Sequence, residues 1–334
     1  MVIIHSYLVA VILLFITMLC WGSWANTQKL ATRKWPFQLF YWDYTLGVVL
    51  LSLLFALTLG SIGDGGRSFI PDLLQADTNN LLSAFMGGVI FNIANLLLVA
   101  AIDIAGMAVA FPIGIGIALV WGVVVNYMAT PLGDPLLLFI GVGFVVVAIV
   151  IDALAYKRLP QQPGTTSTRG IFISVIAGIA MGFFYRFVAA SMSENFMDPV
   201  AGKLTPYTAV FIFSLGILLS NFLWNTLFMY KPLKGEAVRY ADYFKLGTAR
   251  LHWIGILGGV IWCIGMSFSI LASEQAGFAI SYGLGQGATM VAAAWGVFIW
   301  KEFSQAPKGT NRMLLFMFLF FIVGLSLIII ARLN

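Results

Sequence analysis

Ten runs of about 20 mostly apolar residues follow one another along this chain, each long enough to carry an α-helix across a bilayer. They cover residues 6–28, 40–59, 80–102, 107–128, 136–156, 171–192, 207–230, 251–273, 278–300 and 313–331. Hydrophobic residues make up 61% of the chain and charged residues 9%, too few to clothe a water-soluble fold. The expected fold class is therefore all-α integral membrane. Residues 157–170 are polar, with Pro160, Pro163 and Gly164, and read as a linker between two sets of five spans. The expected division is 1–156, a linker over 157–170, and 171–334.

The two sets are related in sequence. Gly87-Gly88-Val89-Ile90 falls without a gap on Gly258-Gly259-Val260-Ile261. In the same register Asp103 falls on Glu274, Ala105-Gly106 on Ala276-Gly277, and Gly114 and Gly116 on Gly285 and Gly287. An odd number of spans per copy makes the copies insert in opposite senses. The expectation is ten transmembrane helices in two inverted five-helix repeats, an arrangement many secondary transporters use.

Loop charge sets the orientation. Basic residues cluster after the first span (Lys29, Arg33, Lys34), in the linker (Lys157, Arg158, Arg169), in residues 231–250 and after the ninth span (Lys301, Lys308, Arg312). The intervening loops carry Asp64, Asp72, Asp77, Asp134, Glu194 and Asp198. By the positive-inside rule the basic side is cytoplasmic and both termini are outside. Ser23-Trp24-Ala25 loosely resembles a signal-peptide cleavage site. No basic stretch precedes the first run, however, and basic residues follow it, which suits a retained helix.

Particular residues then resemble a family. Five plus five inverted helices resemble the drug/metabolite transporter superfamily. Within it, Tyr41-Trp42-Asp43-Tyr44-Thr45-Leu46 and Ala56-Leu57-Thr58-Leu59-Gly60-Ser61-Ile62-Gly63 resemble the second span of the ureide permeases. Phe111-Pro112-Ile113-Gly114-Ile115-Gly116 and Asn126-Tyr127 are similar to that family's fourth span. The neighbouring glucose/ribose- and rhamnose-type sugar porters share the Gly-rich fourth span. The resemblance implies a proton-coupled importer of allantoin, uracil or related heterocycles, with a proton-coupled monosaccharide or nucleoside transporter as the alternative. Plant members carry a long central cytoplasmic loop with a nucleotide-binding-like motif. This chain has only a short linker there, without Gly-x-x-x-x-Gly-Lys, and resembles a bacterial form set in the inner membrane.

Ionisable and amide side chains inside spans are costly and mark candidate sites. Arg186, deep in the sixth run, needs a partner. It can pair with Glu194 two turns on, bind solute, or snorkel to the surface. Asp43 opens the second run, either as a proton-binding carboxyl or as an N-cap. Asp43 and, second, Glu194 are the expected proton-coupling acids. Asp103 and Glu274 each directly precede the second helix of a hairpin, where they are expected as paired gates capping equivalent turns. A solute site is expected from Trp21, Trp24, Asn26, Asn92, Asn95, Arg186, Tyr282 and Gln286. Aromatic rings stack on a flat solute and amides read its donors and acceptors. The same amides can equally be interhelical glue.

Other chemistry has little footing. Cys20 and Cys263 lie inside apolar runs and read as buried hydrophobes. His5 and His252 have no metal-ligand spacing, and no nucleophile has a base partner. Gly283-Leu284-Gly285-Gln286-Gly287 lies in a span and is not a dinucleotide fingerprint. The expected function is a secondary transporter, not an enzyme. Its partners are a small-molecule solute, protons and the lipid bilayer, with no cofactor, no metal and no nucleic acid.

Overall fold

The structure, a computed structural model, describes residues 1–31, 35–159, 167–233 and 235–333. The expected proline-bearing centre of the linker and the basic residues Arg33, Lys34 and Lys234 lie outside the described residues. The chain is built from helices: α1 (Tyr7–Ser23), α2 (Ala25–Leu30), α3 (Phe37–Leu57), α4 (Phe69–Gln75), α5 (Thr78–Ala105), α6 (Met107–Ala129) and α7 (Pro135–Lys157). Then follow α8 (Thr168–Ser191), α9 (Pro206–Tyr230), α10 (Tyr240–Leu246), α11 (Ala249–Ala276), α12 (Phe278–Gly285), α13 (Ala288–Ala294) and α14 (Thr310–Ile330). Among the described residues nine helices are long and apolar enough to cross a membrane, with α1 and α2 running on as one.

The run expected as a ninth continuous span, residues 278–300, is broken. The helix stops at Gly285 and resumes at Ala288, then widens into a π-helical turn over Trp295–Ile299. At the break, tight bonds from Gly287 N to Leu284 O (2.9 Å) and from Thr289 N to Gln286 O (3.1 Å) replace helical ones. Such interruptions at membrane depth persist where the backbone is buried in protein or lines a cavity. α12 is buried along its whole length.

Two hairpins turn on a single glycine. Gly106 joins α5 to α6 at φ 81°, and Gly277 joins α11 to α12 at φ 84°. That backbone region is open to glycine and strained for other residues. These joints correct the sequence-based placement of the acids. Asp103 and Glu274 lie in the last turns of α5 and α11, at the negative ends of their helix dipoles, and cap neither following helix. Asp43 is corrected likewise: α3 begins at Phe37, so Asp43 is inside the helix and is not its N-cap.

The helix pairs come in reciprocal sets. α1 packs on α11 and α13, while α8 packs on α5 and α6. α3 packs on α11, while α9 packs on α5. The matching glycines make matching contacts. A Cβ on Gly88 would lie 2.0 Å from Phe213 O of α9, and one on Gly259 would lie 1.9 Å from Tyr44 O of α3. Bare backbone is what lets these helices touch, as small residues do in membrane packing. α7 and α14 pair at the periphery, and α3 meets α9 through the Ser52–Ser214 hydroxyl contact of 2.7 Å.

Candidate functional site: an aromatic chamber beside the broken helix

The break in α12–α13 faces a cavity of about 180 Å³. Its aromatic walls come from Trp21 and Trp24 of the first span, Phe91 of α5, Phe184 of α8 and Trp262 of α11. Trp21 and Trp262 are stacked, with centroids 5.9 Å apart and planes at 14°, and Phe91 lies 4.5 Å from Trp262. The indole of Trp21 fits between Gly265 and Gly285, where added Cβ atoms would come within 2.6 and 2.7 Å of its ring. Its Nε1 donates to Trp262 O at 3.2 Å. The rings are thus held by neighbours rather than left to rotate, which presents a fixed stacking surface.

Polar atoms in this cavity are few. Asn95 is 6% exposed and donates from Nδ2 to the Tyr41 hydroxyl at 3.2 Å. Gln286, at the helix break and 8% exposed, makes no side-chain hydrogen bond with any described residue. A buried carboxamide without a partner is costly, so its donors and acceptor are available to something in the cavity. Thr289 stands one turn on, its hydroxyl turned back to Gln286 O at 2.9 Å.

A second cavity of about 420 Å³ shares five residues with the first: Gly22, Ala25, Phe111, Thr289 and Ala292. Together they form one chamber that runs toward the helix ends carrying Lys29, Tyr156 and Glu302. There the Lys29 ammonium lies 2.6 Å from Glu302 and 4.2 Å above the Trp300 ring centroid. Tyr156 donates to the other Glu302 oxygen at 2.8 Å, and Trp300 Nε1 donates to Asn26 Oδ1 at 2.6 Å. Asp152 of α7 borders the same cavity.

A separate cavity of about 10 Å³ lies between Ser52 and Phe55 of α3, Tyr207 of α9 and Ser267 of α11. Asp72 is fully buried and accepts from Arg67 (3.0 Å), Thr205 N (2.8 Å) and Thr205 Oγ1 (2.9 Å). Arg67 also donates to Pro199 O and Lys203 O, tying the α3–α5 connection to the α8–α9 connection.

Of the residues expected at a solute site, Trp21, Trp24, Asn95 and Gln286 meet in the inner cavity and Asn26 in the adjoining one. Three stand apart. Asn92 is sealed against α9, donating to Ser220 Oγ (2.9 Å) and Ile217 O (3.2 Å). Tyr282 donates to Ala118 O (3.1 Å) and Met181 O (3.2 Å), bridging α6 and α8. Arg186 is half-buried near the end of α8 and has no ion pair with a described residue; Glu194 is exposed in the loop beyond. The helix ends at Ser191, so the two-turn spacing that would align Arg186 with Glu194 does not hold.

Asp43 borders neither part of the chamber. It accepts from the Tyr243 hydroxyl and lies 3.0 Å from His252 Nδ1. Burial pushes the Tyr243 phenol above its ordinary range, and the Asp43 hydrogen bond and charge add to that. Glu274 accepts from Phe196 N at 2.6 Å, whereas Asp103 borders a separate cavity of about 440 Å³ beside Asp242. Sequence reasoning missed Phe91, Phe184, Trp262, Asp152 and Glu302. For Asp152 a signal was present: it is the one carboxylate in the apolar stretch Phe144-Val145-Val146-Val147-Ala148-Ile149-Val150-Ile151-Asp152.

Sequence comparison matches residues 40–162 and 155–331 to the ureide permease family. Ureide permease 4 of Arabidopsis thaliana is 22% identical over 395 aligned residues, which cover 98% of each chain. Ureide permease 5 of the same plant is 24% identical, covering 96% of this chain and 93% of its own. Probable ureide permease A3 of Vigna unguiculata is 20% identical, covering 80% and 89%. A solved crystal structure, 14% identical, superposes with a TM-score of 0.61 over 98% of this chain and 99% of its own. At that identity the likeness concerns the fold alone.

Proposed function

The chain belongs to the ureide permease family, and on that premise we propose that it carries a small, flat, nitrogen-rich solute, a ureide or nucleobase, through the chamber beside the broken helix. Members of the family are transporters, not enzymes, and this chain is a multi-pass membrane protein. The observation that carries the reading is the pairing of fixed indole and phenyl faces with the Gln286 carboxamide, which has no hydrogen-bond partner among the described residues. A planar heterocycle stacks on the rings, and its amide edge meets the carboxamide.

The mechanism we infer is alternating access driven by protons. Residues 1–156 and 171–334 act as two inverted five-helix repeats joined by a cytoplasmic linker, the broken α12–α13 run being the ninth of the ten spans. The reciprocal packing of α1 and α3 on α11, and of α8 and α9 on α5, supports this reading. The glycine contacts of Gly88 and Gly259 support it further. The basic ends then face the cytoplasm of the cell that holds the protein in its inner membrane, and both termini lie outside. In this conformation the chamber opens inward and the Arg67–Asp72 side is closed.

A thermal-shift screen of purified protein against ureides, nucleobases, nucleosides and monosaccharides tests the substrate class, followed by uptake of the binders into proteoliposomes. Stabilisation by uracil or allantoin, with counterflow of the same compound, is the expected result. Stabilisation by monosaccharides alone would overturn it.

A further inference from the structure

Asp152 is unlike every other acid that borders the chamber. It lies in the interior of α7, is 9% exposed, and neither carboxylate oxygen accepts a hydrogen bond from a described residue. Its Oδ1 is sealed and has no hydrogen-bond partner among the described residues. Yet the side chain borders the larger cavity, together with Phe111 and Thr289, which also wall the solute cavity. An ionised carboxylate left unpaired in a membrane interior is expensive, and it resolves that cost by a proton, a cation or a donor from a ligand.

The charged and titratable groups around it are already committed or distant. Lys29, on α2, is bound to Glu302 and stacked over Trp300. Glu302 also accepts from Tyr156, one turn beyond Asp152 on α7. Lys157 and Arg158 lie at the end of α7. On α14, which packs along α7, the single charged residue is Arg312, exposed in the first turn. On α6, the other neighbour, the one titratable group is Tyr127, at the far end. No described cation reaches Asp152, and the other acid bordering the same cavity, Glu302, is taken up by Lys29 and Tyr156.

We propose that Asp152 is the carboxyl that takes up and releases the coupling proton of this transporter. The inference rests on the proton-coupled reading given above and names its residue. The proton comes from water in the open chamber, is held on a carboxylate oxygen, and returns to water when the chamber opens on the other side. Because the cavities share walls, closing the chamber over solute also closes it over Asp152. Closure over the neutral acid costs little, whereas closure over the bare anion is opposed by desolvation. Movement of solute is thereby tied to movement of a proton.

The test uses full-length protein in proteoliposomes with labelled uracil and labelled allantoin. Wild type should show both counterflow and accumulation down an inward proton gradient. Asp152→Asn, a permanently neutral mimic, should retain counterflow within about twofold and lose gradient-driven accumulation by at least tenfold. Asp152→Glu should restore accumulation with a displaced pH profile. In unmodified protein, a hydrophobic carbodiimide should label Asp152, as located by mass spectrometry, and labelling should fall as pH rises. Full accumulation by Asp152→Asn would overturn the proposal. So would loss of counterflow in a monodisperse Asp152→Asn protein, which would make the residue a solute ligand. A failure of Asp152→Asn to fold leaves the decision to the carbodiimide label, whose absence at every pH also overturns it. Wild-type accumulation driven by sodium instead of protons refutes the coupling reading, and absence of any wild-type counterflow refutes the transport reading beneath it.

Discussion

Arg67 reaches the carboxylate of Asp72 at 3.0 Å in a site where Asp72 has no contact with solvent. The pair lies on the side proposed above to be closed and joins the α3–α5 connection to the α8–α9 connection. Removing one member of a buried pair leaves the other charge uncompensated, at a cost of about 3–5 kcal/mol. Arg67→Ala should therefore lower the melting temperature. It should also loosen that side, so that Ser267→Cys, in a Cys20→Ser/Cys263→Ser background, becomes open to an impermeant maleimide. An unchanged labelling rate would show that the pair holds the fold but does not guard the chamber.

A second prediction concerns helix contact. A Cβ on Gly259 would meet Tyr44 O at 1.9 Å and Val48 N at 2.9 Å, both backbone atoms that a side-chain rotation cannot relieve. Gly259→Ala must push α3 and α11 apart, and overpacking of this kind costs about 1–3 kcal/mol. Gly116 of α6 belongs to the same repeat pattern, but a Cβ there meets nothing within 4 Å. Melting curves in detergent should show Gly259→Ala destabilised and Gly116→Ala close to the parent. Equal melting temperatures would mean the α3–α11 contact is looser than its geometry indicates.

These glycines also show what the sequence could and could not reveal. Spans are legible because burial in lipid demands long apolar runs, and nine of the expected runs are continuous helices among the described residues. The break at Gly285-Gln286-Gly287 was not legible, since an interrupted helix has the same apolar content as an intact one. The aromatic and amide residues of the first span and Gln286 were found by residue type. Asn92 and Tyr282 have the same types, but their polar atoms point at backbone carbonyls of neighbouring helices, a matter of helix rotation that one sequence does not encode. The paired acids Asp103 and Glu274 were placed one helix too late because the turn between the helices is a single glycine.

The cluster around Asp43 gives a third prediction. Tyr243 and His252 reach one carboxylate from α10 and α11, so their effects on stability should not add. A double-mutant cycle of Tyr243→Phe and His252→Gln should show a coupling energy of about 0.5–3 kcal/mol, the range for residues sharing a partner. The Tyr243 phenol titrates above its ordinary range because burial, and then Asp43, disfavour the phenolate. A raised folded-state value stabilises the protein below about pH 10 and is lost as pH rises through it. Tyr243→Phe should therefore weaken the fall in stability at alkaline pH. Strict additivity of the two substitutions would argue that Asp43 does not link them.

The last prediction separates residues that line the chamber from those that only hold it together. Gln286 borders the cavity with a carboxamide that no described residue bonds, so Gln286→Ala removes a neutral hydrogen bond to solute while leaving the break in the helix intact. Such a bond is worth about 0.5–1.5 kcal/mol, or roughly two- to tenfold in affinity. Trp24→Ala removes a stacking face, with a similar loss or more. Asn92 is spent on α9, so Asn92→Ala should lower the melting temperature with little change in solute affinity. Arg186 borders neither part of the chamber, and Arg186→Gln should leave affinity within about twofold, well inside the tenfold step of 1.4 kcal/mol. Titration of each purified variant with the solute that stabilises the parent decides the matter. If Asn92→Ala and Arg186→Gln weaken binding while Gln286→Ala and Trp24→Ala do not, the solute sits elsewhere, between α5, α8 and α9, and the aromatic chamber is only its path.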